Sequence, residues 1–375
     1  MIVFNRPVID HLDLSYLNEA VSVGHISGAG SFTKRAEKSL AEIHDNGQSL
    51  LTTSCTHALE LAARLLDLQP GDEVIVPSYT FVSSASGFLA NGAKVVFADI
   101  RPDTMNLDLD SVSERISHRT KAICLVHYAG VGADPGDYQD LCSSKGIYLI
   151  EDNAHGLMGS YGSQALGTFG VLSTMSFHET KNLTCGEGGA IHINDDRLFE
   201  RAEILREKGT NRSRFFRGQI DKYTWVDIGS SWVMSELLAA ILSGQLERRA
   251  SIQARRTEIW FRYHRELEDW CFRLGISQPF VPRDAVHPSH MYFLVLPSLQ
   301  ARTRFIEHMK ENGVMVVFHY QPLHASPIGQ RMGYSQRDLP VSAKIGDTLI
   351  RLPLHLGLTD AEVDHVIESV KRFEV

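Results

Sequence analysis

Six short apolar runs punctuate the first 240 residues: Glu73–Pro77, Ala93–Ile100, Thr120–Tyr128, Gly146–Ala154, Val171–His178 and Gly189–Asn194. A strand with one wet face alternates apolar and polar residues. A strand that is apolar almost throughout is covered on both faces, as in a mainly parallel sheet sandwiched between helices. Helix-patterned stretches fill the gaps, at 57–67, 83–91, 109–117, 135–145 and 196–208. The expected class is therefore α/β. Residues 235–269 contain no proline and carry Leu, Ala, Arg and Glu at helical spacing, which predicts a long helical link. Beyond it, His290–Leu296 and Val314–Tyr320 are strand-like, and Ala301–Asn312 reads as a helix stopped by Gly313. Thr359-Asp360-Ala361-Glu362 has the form of a capping box opening a last helix. The expectation is a large α/β domain over 1–240 and a smaller α+β domain over 241–375.

Composition removes several classes of function. Acids outnumber Lys and Arg by 45 to 37, so the overall basic footprint of a nucleic-acid binder is missing. The five cysteines are odd in number and form no C-x-x-C pair, which argues against a disulfide framework and fits a reducing cytoplasm. The opening segment MIVFNRPVIDHLD has acids and a proline where a signal peptide needs an apolar run. No stretch approaches the ~18 apolar residues of a membrane span. The 17 histidines are scattered, and His178-Glu179 is followed by Thr, Lys and Asn rather than completing a zinc motif, so no metal is expected.

Three features carry chemistry. Ser54-Cys55-Thr56-His57 opens a helical run. Free N–H groups and the helix dipole there suit a phosphate, although an ordinary N-cap looks the same in sequence. Asp152 follows Glu151 at the carboxyl end of a strand, the edge where α/β proteins bind ligands. If buried there, it needs a cationic partner such as a protonated ring nitrogen. Lys181 follows a strand and precedes the glycine-rich turn Gly186-Glu187-Gly188-Gly189. A lysine in such a cleft can lose proton affinity and form a Schiff base, whereas most loop lysines simply face water. Phosphate anchor, acid and amine in this order are the three things a pyridoxal 5'-phosphate enzyme requires.

With these residues in view, the chain resembles the DegT-type sugar aminotransferases, of fold type I among the pyridoxal phosphate enzymes. The resemblance spans essentially the whole chain. It is carried by Thr53-Ser54-Cys55-Thr56-His57-Ala58-Leu59, by Pro70-Gly71-Asp72-Glu73 and the strand after it, and by Ser78-Tyr79-Thr80-Phe81. Glu151-Asp152-Asn153-Ala154-His155, Ser176-Phe177-His178-Glu179-Thr180-Lys181-Asn182 and the Gly186–Gly189 turn complete it. It implies a large domain with a mainly parallel seven-stranded sheet and a homodimer with shared active sites. It makes Lys181 the amine that carries the cofactor and shuttles protons, and Asp152 the partner of the pyridine nitrogen. His155 would lie near the ring hydroxyl and Phe81 against the ring. Cys55, Thr56, the backbone at His57, and Ser176 would hold the phosphate. Many members have Asn after Gly-Tyr, reaching the cofactor phosphate of the other subunit; the aligned residues here are Ser230 and Ser231.

Arg206–Trp225 and Asp227–Leu237 resemble the subgroup that makes dTDP-4-amino-4,6-dideoxygalactose. The resemblance thus suggests L-glutamate as donor and a dTDP-4-keto-6-deoxy-D-hexose as acceptor, with galacto and gluco products both open and a 3-amino product as an alternative. Arg212, Arg214 and Tyr223 are candidates for the nucleotide diphosphate, though a basic loop after a helix end has the same composition. Tyr320 and His324, in FHYQPLH, are candidates from the C-terminal part. A nicotinamide-dependent sugar oxidoreductase fits poorly. In Gly130-Val131-Gly132-Ala133-Asp134-Pro135-Gly136 the third glycine falls one place late. A non-catalytic relative, or a related dehydratase with His in place of the lysine, is opposed by Lys181.

Overall fold

In the computed structural model, which describes residues 1–45 and 47–374, all six apolar runs form strands. They are β2 (Glu73–Pro77), β3 (Lys94–Ala98), β4 (Thr120–Val126), β5 (Tyr148–Asp152), β6 (Leu172–Ser176) and β7 (Gly189–Ile193). A seventh, β1 (Gln48–Thr52), was visible in sequence only as the apolar pair Leu50-Leu51. The sheet order is β1-β7-β6-β5-β4-β2-β3. Its strands are parallel except β7, which runs against both β1 and β6.

The apolar runs follow from how the two faces are used. Val74, Val76, Ala122, Cys124 and Ile150 feed one core, with Leu59, Leu61 and Phe88 of the covering helices. The intervening residues Ile75, Ile123, Leu125 and Leu149 feed a second core on the opposite face, with Tyr138 and Cys142. Successive side chains of a strand point to opposite faces, so a strand with two cores needs apolar residues at every position. The same alternation sends the neighbours Glu151 and Asp152 to opposite faces.

A second sheet has three antiparallel strands, β8 (Tyr292–Val295), β9 (Val317–Phe318) and β10 (Leu349–Leu352), in the order β8-β10-β9. Tyr292, Leu294, Ile350 and Leu352 pack with Trp260, Tyr263, Phe305 and Val363 of the neighbouring helices. The expected strand Val314–Tyr320 is shortened to β9. Val314 bridges Ile2 instead, and His319 and Tyr320 leave the sheet to line a cavity. The stretch 235–269 is not one helix but two, Glu236–Glu247 and Arg249–Leu274. The break falls at Arg248, whose guanidinium meets Asp10 at 3.0 Å and Asp13 at 2.6 Å. The capping box at Thr359 forms with both of its bonds. Among the described residues, no helix is long and apolar enough to cross a membrane.

Candidate active site

A cavity of about 810 Å³ opens at the carboxyl ends of the parallel strands, closed on one side by β10 and the segment after β9. Its floor is the start of the helix Cys55–Leu65. Ser54 is the N-cap, its hydroxyl accepting the His57 amide at 3.1 Å, and Ala58 N–H reaches Ser54 O. The first two amides of the helix, those of Cys55 and Thr56, therefore have no intrahelical acceptor and remain for an anion. The Thr56 hydroxyl lies 2.7 Å from that of Ser83. Ser176 Oγ accepts the His178 amide at 3.4 Å, which leaves its own proton to donate. Gly189 of β7 passes directly beneath. A Cβ there would come within 2.3 Å of Cys55 N and of Ser54 C, so only glycine lets the strand and the helix start lie this close.

Asp152 is buried at the end of β5 and lines the same cavity. Its Oδ2 accepts the Ser84 hydroxyl at 2.7 Å, and its Oδ1 accepts the Ala154 amide at 3.2 Å. Thr80 Oγ1 lies 2.8 Å from Ser84 Oγ and fixes that serine in turn. These bonds hold the carboxylate while leaving lone pairs directed into the cavity.

Lys181 lines the same cavity. Burial lowers its pKa to about 8, an effect that the charge of Arg351 adds to and that of Asp152 opposes. About a tenth of the amine is thus neutral, and nucleophilic, at pH 7, and the share rises to half near pH 8. Burial, and then the charge of Asp152, raises the pKa of the Cys55 thiol, which stays protonated. His155 stacks on His290 with ring centroids 4.3 Å apart, and burial keeps its pKa well below the ordinary value, so it is a neutral ring in the wall. Phe81, 55% exposed, projects at the rim with Tyr320 6.2 Å away.

The structure therefore gathers Cys55, Thr56, Phe81, Asp152, His155, Ser176, Lys181 and Tyr320 around one cavity. It does not bring in the others. The His57 amide is engaged by Ser54, and its ring meets the Thr53 hydroxyl at 2.5 Å. His324 is fully buried away from the cavity as a staple between segments. It donates its amide to Ser78 Oγ at 3.1 Å, and its ring lies 3.4 Å from Gln336 O. Arg212 pairs with Glu207 at 2.9 Å and Arg214 with Glu200 at 3.2 Å. Tyr223 is exposed beside Phe215, and Ser231 is exposed where it bridges Glu207. Sequence reasoning passed over Ser83 and Ser84, although only Val82 separates them from the quoted Ser78–Phe81 stretch. It also passed over Arg351, whose neighbours give no sign of a site.

These features fit pyridoxal 5'-phosphate: a helix start with two free amides for the phosphate, an acid for the ring nitrogen, and an amine for the aldehyde. The sequence profile described as the DegT/DnrJ/EryC1/StrS aminotransferase family matches residues 7–371. The dTDP-4-dehydro-2,3,6-trideoxy-D-glucose 4-aminotransferase of Saccharopolyspora spinosa is 33% identical over 380 residues, covering 99% of this chain and 96% of that protein. A GDP-perosamine synthase of Caulobacter vibrioides is 32% identical over 370 residues, covering 97% and 96%. The solved PLP form of Spr1654 from Streptococcus pneumoniae superposes with a TM-score of 0.88 at 27% identity, covering 98% of this chain and 97% of that one. The chain belongs to the DegT/DnrJ/EryC1/StrS aminotransferase family and is a sugar aminotransferase dependent on pyridoxal 5'-phosphate.

Proposed function

We propose that the enzyme takes the amino group of L-glutamate and places it on C4 of a dTDP-4-keto-6-deoxy-D-hexose, releasing 2-oxoglutarate and a dTDP-4-amino-4,6-dideoxyhexose. The observation that carries this reading is the convergence of Lys181, Asp152 and the Thr56 helix start on one cavity. The name of the Saccharopolyspora relative supports position 4 and the dTDP carrier. The resemblance of Arg206–Trp225 to the 4-amino-4,6-dideoxygalactose enzymes points the same way.

When bound, the cofactor supplies an aldehyde to hold the amino group and a ring that accepts charge when the adjacent proton leaves. Asp152, held by Ser84 and Ala154, would pair with the ring nitrogen and favour its protonated form. Lys181 would take the donor's α-proton on its Nζ and later return a proton to the sugar carbon. Thr56, Ser176 and the Cys55 and Thr56 amides would hold the phosphate, with Phe81 and His155 available to the ring. The working form is a homodimer. Trp225 and Ile228, 72% and 71% exposed, give the loop that carries Arg212, Arg214 and Tyr223 an apolar face for a second copy. That loop and Ser231 then serve the neighbouring cavity. The division near residue 240 places the cofactor cup on the larger unit and the cover on the smaller.

Incubation with L-glutamate and dTDP-4-keto-6-deoxy-D-glucose, followed by NMR of the product, tests the reading. Small H3–H4 and H4–H5 couplings identify an axial amine, the galacto product, and large ones the gluco product. Absence of any amino sugar, with cofactor bound, rejects this acceptor and directs the search to 3-keto or GDP-linked sugars. Lys181→Ala is expected to abolish turnover while leaving the fold, and wild-type turnover would remove its assignment.

A further inference from the structure

Asn182, the residue after Lys181, is tied down at both ends of its side-chain amide. Its Nδ2 donates to Pro288 O at 2.7 Å and to Gln253 Oε1 at 3.4 Å. Only the NH2 end can donate to a carbonyl, so Oδ1 is the atom facing His290 Nδ1, at 2.9 Å, and that ring nitrogen carries the proton. The turn that supplies these partners is itself fixed. Arg256, on the helix Arg249–Leu274, is buried and donates to His290 O at 2.5 Å. The His290 ring stacks on that of His155. Pro288 is pressed onto Gly130, where a Cβ would come within 2.6 Å of Pro288 Cδ and of His155 O. Between them, buried Ser289 has a φ of 49°, a left-handed conformation that costs energy in a residue with a Cβ. Ser289 Oγ lies 3.3 Å from Thr257 Oγ1, which accepts Gln253 Nε2 at 3.1 Å, and Gln253 leads back to Asn182. The hydrogen bonds thus close a ring around the turn, and the neighbour of Lys181 is a member of it. A strained turn persists only where its surroundings over-determine it, and such turns cluster where geometry has a task.

We propose that His290 and Asn182 are a positioning couple for Lys181: the 288–290 turn grips the residue beside the lysine and so fixes the direction from which the amine enters the cavity. Both act through the lysine. This rests on the assignment of Lys181 as the reacting amine, made above. That amine has to remove a proton at one carbon and return one at another, and each transfer needs its nitrogen within hydrogen-bond reach of the target. A displacement of about 1 Å can cost on the order of a hundredfold in rate, so a lysine on an ungripped loop would be a poor shuttle.

Three variants separate grip from support. H290F keeps a ring to stack on His155 and removes the donor. H290N keeps a donor near the place of Nδ1 and removes the ring. N182A removes the acceptor. Hydrogen exchange over residues 178–184 is read in the apoenzyme, and the glutamate half-reaction in the holoenzyme, per bound cofactor. For H290F the expected result is exchange faster by about fivefold or more and a maximal rate lower by about thirtyfold, with the KM for glutamate within about twofold. H290N is expected to recover the rate to within about fivefold of wild type. H290F/N182A should be no slower than N182A, since both changes break one bond. A maximal rate for H290F within about threefold of wild type, or unchanged exchange, overturns the proposal. So does H290N as slow as H290F, which would assign the effect to the ring stack. A raised KM with the rate kept would make His290 a substrate contact instead, and additive losses in the double variant would dissolve the couple. If H290F does not fold, N182A takes its place, with exchange and rate expected to change at least as much. Lys181→Ala with wild-type turnover would fail the reading of the lysine by itself, and exchange in the apoenzyme would still show whether His290 holds the loop.

Discussion

Glu151 and Asp152 are adjacent carboxylates on one strand, both buried, yet they have opposite surroundings. Glu151 is saturated. Its oxygens accept the amides of Gly167, Phe169 and Gly170 and face His127 Nε2, each at 2.7 Å. Asp152 accepts two bonds and opens onto the cavity. A carboxylate whose every lone pair is used organises a loop, and one left short of partners is available for chemistry. Composition cannot make that distinction; only the partners on each face of the strand do.

The strongest way to break this contrast is Asp152→Asn. It should fold normally and bind cofactor, yet lose turnover by about 10³-fold, the scale for removing a group that stabilises developing charge. Turnover within tenfold of wild type would reject the assignment. Glu151→Ala should do the reverse. Stranding three amides and a histidine is expected to cost about 3–5 kcal/mol in denaturant unfolding, while the folded fraction keeps its cofactor chemistry. A variant as stable as wild type would mean that the loop finds other acceptors. The next effect is on pH. Cofactor capture by apoenzyme, trapped by reduction, should rise with a midpoint at about pH 8, as Lys181 loses its proton. Asp152 favours the charged amine, so Asp152→Asn should move that midpoint down and Glu151→Gln should leave it in place. A midpoint near that of free lysine would contradict the burial argument. The smallest effect is expected for Ser84→Ala. Loss of one hydrogen bond to Asp152 should cost about 1 kcal/mol and a few-fold in turnover, measured side by side with wild type.

The residues legible in sequence were those whose role is set by chain neighbours. The six apolar runs announced strands because both faces of the sheet are covered. Asp152 and Lys181 were visible because each ends or follows a strand, where the ligand-binding edge must lie. Ser84 and Arg351 were not, because their roles depend on contacts across the fold: Ser84 meets an aspartate 68 positions away, and Arg351 is one position of a strand whose direction is set by register. His324 misled for the related reason that a buried histidine and a cavity histidine look alike until the partner, here Ser78, is known. The arginines of the 206–225 loop offered a cationic composition, but within one chain Arg212, Arg214 and Arg217 are paired with glutamates on and just after the preceding helix.

The cup beneath the cavity is made where Gly189 of β7 meets the helix that follows β1, and Asp152 comes from the middle of the same sheet. No short stretch of the chain holds all three, so a ligand that needs them binds the assembled state and leaves the unfolded chain alone. By mass action such a ligand shifts the unfolding equilibrium by RT ln(1 + [L]/Kd), about 2.7 kcal/mol at a hundredfold excess over Kd. The vitamin-derived cofactor thus acts as a thermodynamic clamp on the whole sheet, and its supply sets how much damage by mutation the fold can absorb.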